Sequence, residues 1–461
     1  MGSGRVEHHT VIIVGGGPAG LPLSVVLGGW HPHFSESPVL QQRYTQLADY
    51  LRSVPGSLLS LNFHDLLKAR LPPVDLFRLL HHPRQLYERA DQIALEFRRS
   101  EPLDCLLITQ EEVGGVWNNV PQNMLTLSPG QWMEFAFYPL AEHVAQQGIA
   151  DFDVNALIGK RDLVDYYHRV PERFDQTERI HTFERVTRIQ PHEEGFLLTA
   201  QDVLPGKSAL PTPRQSPVPQ PGDDLSPGEI RRYTCKYLVY AAGQRVVNRR
   251  LGVAGEDLGF VRSYYDQPQD FHGERVMVVG GGRSADWAAT ELHDAGKQIC
   301  YVMRQAREGH WRLVNDSRMG LPYYARLAEI FESDSPRWEV LYDTRIKRMA
   351  EGANGCGLVT LSTGGEERTV EVDCVVKEIG ASTDFSLFEG FPAFQTFEKH
   401  DPYRYQLDQL RTHPHNYESI DVANLYPGGY LAQDIGLVVI AMHGTTYAIA
   451  ADILRKEGRL A

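Results

Sequence analysis

The apolar positions of the chain fall into two kinds of pattern: short β-branched runs that end in glycine, and longer stretches at helical spacing. Thr10-Val11-Ile12-Ile13-Val14 runs into glycines and then into the apolar residues 21–27, which predicts a strand, a tight turn and a helix. Between about residues 36 and 100 the spacing is helical, as in Leu47, Tyr50, Leu51 and Val54 and in Leu86, Ala90, Ile93 and Phe97, with breaks at Pro55, Pro72 and Pro73. This predicts a helical insertion. Residues 103–109 form the next candidate buried strand, so the insertion falls between the first and second strands of one sheet. Residues 183–200 and 231–242 read as strands, separated by a Pro/Ser/Gly-rich stretch at about 204–228 that predicts a long surface loop. Arg275-Val276-Met277-Val278-Val279 repeats the strand-to-glycine pattern, with a return strand at 298–303. Residues 358–380 and 430–441 add apolar strands, and residues 445–455 predict a closing helix.

A length of 461 residues suits two domains plus insertions, and 42 % hydrophobic with 23 % charged residues is an ordinary globular make-up. The net charge of −13 comes without a basic run, which argues against a nucleic-acid partner. Cys105, Cys235, Cys300, Cys356 and Cys374 are odd in number and far apart, against a disulfide framework or a redox-active dithiol and for a reducing, cytoplasmic compartment. Residues 1–10 lack an apolar signal core, and no stretch approaches the roughly 20 apolar residues of a membrane span, so a soluble protein is expected.

Three motifs carry chemistry. Gly15-Gly16-Gly17-Pro18-Ala19-Gly20 is a G-x-G-x-x-G between a predicted strand and a predicted helix. There one glycine makes the turn, another admits a pyrophosphate to the backbone, and the third lets helix and strand pack closely. Gly280-Gly281-Gly282-Arg283-Ser284-Ala285 repeats the arrangement as G-x-G-x-x-A. A single such motif can be a structural glycine turn; two in one chain point to two dinucleotides. The strand after the second motif ends in Met303-Arg304 rather than in an acid, and a guanidinium there can pair with a 2′-phosphate, favouring NADPH over NADH. The alternative is an exposed strand-end arginine. The third motif is the strand that ends in Ala241-Ala242-Gly243-Gln244, whose small residues let the backbone lie against a nucleotide.

The order G-x-G-x-x-G, G-G-x-W (Gly114, Gly115, Trp117), A-A-G, G-x-G-x-S-A resembles the class B flavin-dependent monooxygenases. Gly130-Gln131-Trp132-Met133, the run from Asn248 through Leu251-Gly252-Val253-Ala254-Gly255-Glu256-Asp257, and Ile379-Gly380-Ala381-Ser382 resemble more closely the oxidative-stress-induced growth inhibitor family. The resemblance implies an α/β fold with two Rossmann-like dinucleotide-binding domains. FAD would bind a domain of residues 1–249 and 381–461, with the helical insertion, and NADPH a domain of residues 250–380. Candidate cofactor-binding residues are Gly15, Gly17, Pro18, Ala19, Gly20, Glu111, Gly115, Val116, Trp117, Gln131, Trp132, Gly243, Gly444 and Thr445 for FAD, and Gly280, Gly282, Arg283, Ser284, Ala285 and Arg304 for NADPH.

The chemistry so implied is oxygenation of a small-molecule nucleophile, nitrogen or sulfur, by O2 through a flavin C4a-hydroperoxide, with no side-chain nucleophile required. Met442-His443-Gly444-Thr445-Thr446 resembles the H-G turn of amine N-hydroxylating flavoenzymes and tilts the expectation towards an amine; the alternative is a helix cap by Thr445. Two departures stand out. Arg262 replaces the histidine of the monooxygenase signature expected near residues 259–265, and Thr109-Gln110 stand where an acid should end the second strand, with Glu111 slightly late. The first departure keeps open an uncoupled NADPH oxidase that releases hydrogen peroxide, and a regulatory or interaction protein on a flavoprotein fold is the third reading. His81-His82 lack helical metal-ligand spacing, and His413-Pro414-His415 reads as loop, so no metal is expected. His310-Trp311 and Asn315 are candidates to line the nicotinamide side, with plain packing as the alternative.

Overall fold

The computed structural model describes residues 6–83, 93–203, 229–243, 247–397, 409–436 and 439–460. Leu86, Ala90 and the stretch 204–228 of the sequence reading lie outside them. Two sheets organise the chain. The first has seven strands around the parallel pair Val6–Val14 and Ile230–Tyr240, with Cys105–Ile108 on the other side of Val6–Val14. Val11, Ile12 and Ile13 are fully buried, as strands covered on both faces require. The insertion therefore does lie between neighbouring strands of one sheet.

Ile230–Tyr240 carries two partners along one edge. Its first half pairs antiparallel with Gly195–Asp202, whose other neighbour is Glu184–His192. Its last residues, Leu238, Val239 and Tyr240, pair in parallel with Leu425–Pro427.

The second sheet is wholly parallel, in the order Val261–Arg262, Cys374–Lys377, Arg275–Val279, Gln298–Val302, Trp338–Leu341. The three-stranded antiparallel sheet Thr344–Glu351, Gly357–Thr363, Glu366–Val372 packs beside it. Val247–Asn248 and Ala381–Ser382 pair antiparallel where the chain enters and leaves this unit. Asn123 donates to Glu291 at 3.0 Å, and the Gln122 amide to the Asp266 carbonyl at 3.1 Å, joining the two units.

The insertion contains the helices Pro38–Arg43, Thr45–Ser53, Phe63–Lys68 and Pro73–His81. Pro38 and Pro73 stand at helix starts, where a missing N–H costs nothing. Its end departs from the helical expectation: Leu95–Arg99 is a strand, paired antiparallel with Trp30–Phe34. The period-two alternation Leu95-Glu96-Phe97-Arg98 suits that pairing, and Phe97 belongs to it rather than to a helix face.

A second departure is larger. Residues 430–436 and 439–441 are not a strand: a short 3-10 turn, Gly429–Leu431, comes first, and a helix begins at Val439 and runs to Lys456. An apolar run with no period cannot distinguish a buried strand from a buried helix. This closing helix packs against Gly20–Leu27 and Pro73–His81, and Tyr447–Ala451, Ile453 and Leu454 are buried. Among the described residues no helix is long and apolar enough to cross a membrane.

Candidate dinucleotide sites

The first glycine motif sits at the C-terminal end of Val6–Val14, where the Gly15 amide donates to the Ile108 carbonyl at 2.8 Å and the Ala241 amide to the Val14 carbonyl at 2.8 Å. Gly15 has φ +111°, and a β-carbon there would stand 2.4 Å from the Ala241 oxygen. At Gly20 a β-carbon would meet the Gly15 oxygen at 1.9 Å. The loop is thus closed by backbone alone. Ala19 stands at the helix N-cap position and Pro18 just before it, so the first amides of Gly20–Leu27 have no side-chain cap. An anion is the natural partner for such a terminus.

Two other segments close on the loop. The Gly114 amide donates to the Gly16 carbonyl at 2.8 Å, and Gly115, at φ +58°, lies so close that its β-carbon would be 2.8 Å from the Gly17 α-carbon. Gly115, Val116 and Trp117 belong to the short 3-10 turn that follows. From the opposite side, the Gly428 amide donates to the Tyr240 carbonyl at 2.8 Å, and a β-carbon on Gly429, at φ +59°, would meet Ala19 Cβ at 2.6 Å. Gly243, at φ +81°, has Tyr430 Oη as its nearest neighbour. The three predicted segments therefore meet, and Gly428-Gly429 joins them unpredicted. Its Pro-Gly-Gly signature marked a turn, but the strand assigned to 430–441 hid it.

Other candidates stand apart from this backbone trough. Thr109 follows the strand Cys105–Ile108, with its side chain against Gly16, and Glu111 accepts from Asn119 Nδ2 at 2.5 Å. Gln131 and Trp132 are buried in a 3-10 turn, with Gln131 donating to Asn155 at 3.1 Å. Gly444 and Thr445 are corrected. They lie inside the helix that starts at Val439, not in a turn before it. Thr445 Oγ1 donates to the Met442 carbonyl at 2.6 Å, and a β-carbon on Gly444 would fall 2.2 Å from Val74 Cα. Gly444 is absent of side chain because the insertion helix crosses there, and Thr445 caps nothing.

In the second unit Gly280, at φ +152°, packs against the Glu378 oxygen and Ala285 Cβ, at 2.4 and 2.7 Å from a β-carbon placed there. Gly282 precedes the helix Arg283–Asp294 without a side-chain cap. Ser284 lies in its first turn, and Arg283 stacks over Tyr324 at 5.3 Å. Arg304 follows Gln298–Val302 and is exposed, without an ion-pair partner among the described residues. Gln305 donates to the Gly281 carbonyl at 2.7 Å, tying this strand end to the glycine loop.

Beneath the second helix start lies a network of which the sequence reading singled out His310 alone. Asp286 is fully buried; Tyr301 Oη and His310 Nε2 contact its Oδ1 at 2.6 and 2.7 Å, and Tyr324 Oη donates to its Oδ2 at 2.8 Å. His310 is thereby a support of the helix, not a lining residue. The anticipated departure at Arg262 falls on the edge strand Val261–Arg262. Glu256, in the run that suggested the family, accepts from the Leu251 and Gly252 amides at 2.7 and 2.9 Å and from Lys377 Nζ at 2.7 Å. It fastens the loop after Val247–Asn248 to the end of Cys374–Lys377.

Comparison with known proteins agrees with this architecture. Residues 229–426 match the family model "Pyridine nucleotide-disulphide oxidoreductase". The human oxidative stress-induced growth inhibitor 1 is 23 % identical over all of this chain and 98 % of its own. Among solved structures, the bacillithiol disulfide reductase of Bacillus cereus aligns with TM-score 0.60 and 18 % identity, covering 98 % of this chain and 100 % of its own. The ornithine hydroxylase of Pseudomonas aeruginosa aligns with TM-score 0.56 and 15 % identity, covering 97 % and 99 %. The chain thus shares the fold of solved two-domain flavoenzymes, reductases and hydroxylases alike, and is similar along its whole length to the oxidative stress-induced growth inhibitors.

Proposed function

We propose that the chain is an NADPH-dependent, FAD-containing monooxygenase acting on a small-molecule nucleophile, nitrogen or sulfur, with O2. The observation that carries this reading is the convergence of Gly15–Gly20, Gly114-Gly115, Ala241 and Gly428-Gly429 into a largely backbone-walled trough at an uncapped helix start. A dinucleotide pyrophosphate fits such a trough. Gly15, Gly17, Pro18, Ala19 and Gly20 would hold the FAD pyrophosphate, with Gly115 and Gly243 at its sides and Glu111 towards the ribose. Gly280, Gly282, Arg283, Ser284 and Ala285 would hold NADPH, with Arg304 on the 2′-phosphate. Residues 250–380 form the NADPH domain, and the chain on either side of them the FAD domain.

Bound flavin supplies hydride acceptance and oxygen activation; the protein supplies orientation and exclusion of water. A thiol relay finds no support, because all five cysteines are free and four are buried, with burial pushing the Cys105 and Cys300 thiols up to about 12. The lean towards an amine rested on a turn at His443-Gly444, which is a helix here, so nitrogen and sulfur stand level. Arg262 in place of a histidine favours one second reading, an NADPH oxidase that releases peroxide.

The test is the visible spectrum of the purified protein before and after anaerobic NADPH. Flavin bands that bleach support the reading, and stoichiometric NADPH, O2 and product then separate monooxygenase from oxidase, in which peroxide matches NADPH. A protein that takes up no FAD would overturn both in favour of an interaction protein.

A further inference from the structure

Residues from two segments far apart in the chain meet in the core. His81 ends the insertion helix Pro73–His81, His82 follows it, and Glu134 lies just beyond the 3-10 turn Gly130–Trp132. One ligand atom from each of the three lies within 4.8 Å of the others, and all three residues are buried. His81 Nε2 is 3.1 Å from Glu134 Oε1, about the edge of a tetrahedral coordination shell with ligand bonds near 2.0 Å. Spacing in sequence gave no sign of this, because the third ligand arrives from another segment.

The cluster is incomplete as a hydrogen-bond network. His82 Nε2 is buried and has no partner among the described residues, and Glu134 pairs with no Lys or Arg there. A buried carboxylate and an unpartnered ring nitrogen are both costly.

The surroundings match an outer shell. The Leu140 amide donates to Glu134 Oε2 at 2.7 Å, fixing the carboxylate, and His81 Nδ1 lies 3.3 Å from His443 Nδ1 on the closing helix. A ligating imidazole characteristically engages its second nitrogen in a hydrogen bond, and here the partner nitrogen of His443 takes that place.

We propose that His81, His82 and Glu134 bind one divalent transition-metal ion of the Zn2+ or Fe2+ class, oriented through His443. Two imidazoles and one carboxylate select such ions over Mg2+ or Ca2+. The ion would clamp the insertion to the segment that carries Gln131 and Trp132, independently of flavin.

Full-length protein stripped with a chelator and desalted is titrated with Co2+ and Zn2+. Expected is one equivalent of Co2+ with visible d–d bands, displaced by Zn2+, and a rise in thermal midpoint with either ion. His82→Gln and Glu134→Gln remove the bands, while His443→Phe keeps the stoichiometry at about 10–100-fold weaker affinity. Circular dichroism checks that the variants are folded. Should a variant unfold, the wild-type titration still decides: no bound Co2+ or Zn2+ overturns the site, as does binding that folded His82→Gln leaves unchanged.

Discussion

Gly115 and Gly17 touch through their backbones, with no room for a β-carbon: one placed on Gly115 would stand 2.8 Å from the Gly17 α-carbon. Gly115→Ala is therefore expected to open the trough and to cut FAD occupancy at least tenfold, read as the flavin-to-protein absorbance ratio. Gly56 separates clash from backbone strain, since it too has positive φ but no atom within 4 Å of its β-carbon position. Gly56→Ala should cost about 1 kcal/mol of stability and leave the flavin in place. Equal flavin loss in both would remove the close approach as the cause.

Arg304 is expected to discriminate between the two nicotinamide cofactors. Arg304→Ala should weaken NADPH by roughly 1.5–3 kcal/mol, a charge-assisted hydrogen bond, and leave NADH unchanged. Steady-state KM for both cofactors, or titration of flavin reduction, reads the difference; parallel losses would move the 2′-phosphate elsewhere.

Asp286 gathers three side-chain contacts under the second helix start. Asp286→Ala should cost on the order of 3 kcal/mol in urea unfolding, since Tyr301, Tyr324 and His310 lose their common acceptor in the core. His310→Phe should cost less, because both tyrosines keep theirs.

The Glu256–Lys377 pair predicts an acid limb of stability. Against burial, which pushes the Glu256 carboxyl up, Lys377 and the Leu251 and Gly252 amides hold it below its ordinary range, with Arg250 Nε 3.8 Å from Oε2. A depressed carboxyl contributes fully above the unfolded value of about 4.3 and loses that contribution as pH falls through the folded value. Glu256→Gln should flatten the urea midpoint against pH below about 4.5, while Lys377→Met, which strands the charge, should cost about 3 kcal/mol at neutral pH.

Gly444 tests the corrected helix. Gly444→Ala should push the closing helix off Val74 and destabilise the protein by about 1–3 kcal/mol, as overpacking does. Loss of flavin redox behaviour with unchanged stability would instead restore a turn at the cofactor.

What the sequence revealed follows from locality. Both glycine loops were legible because strand, turn and helix are adjacent in the chain, so one window holds the whole device. Leu95–Arg99 was misread because its pairing with Trp30–Phe34 is distant, and tertiary pairing outweighs helical spacing. Gly428-Gly429 was lost to an apolar run without a period, and the turn assigned to His443-Gly444 fell with it. His81, His82 and Glu134 could not be read from spacing at all, since 52 residues separate the outer pair from each other only in sequence.

The split edge of Ile230–Tyr240 sets an order for biogenesis. Every strand of the inserted parallel sheet has left the ribosome once Lys377 has, whereas Leu238–Tyr240 wait for Leu425–Pro427. A nascent chain arrested between these points carries a finished parallel sheet beside a half-open apolar edge, a template for pairing with other chains. Stop mutations or proteolysis upstream of Leu425 should then yield insoluble product rather than a working fragment, and chaperone demand should peak late in translation.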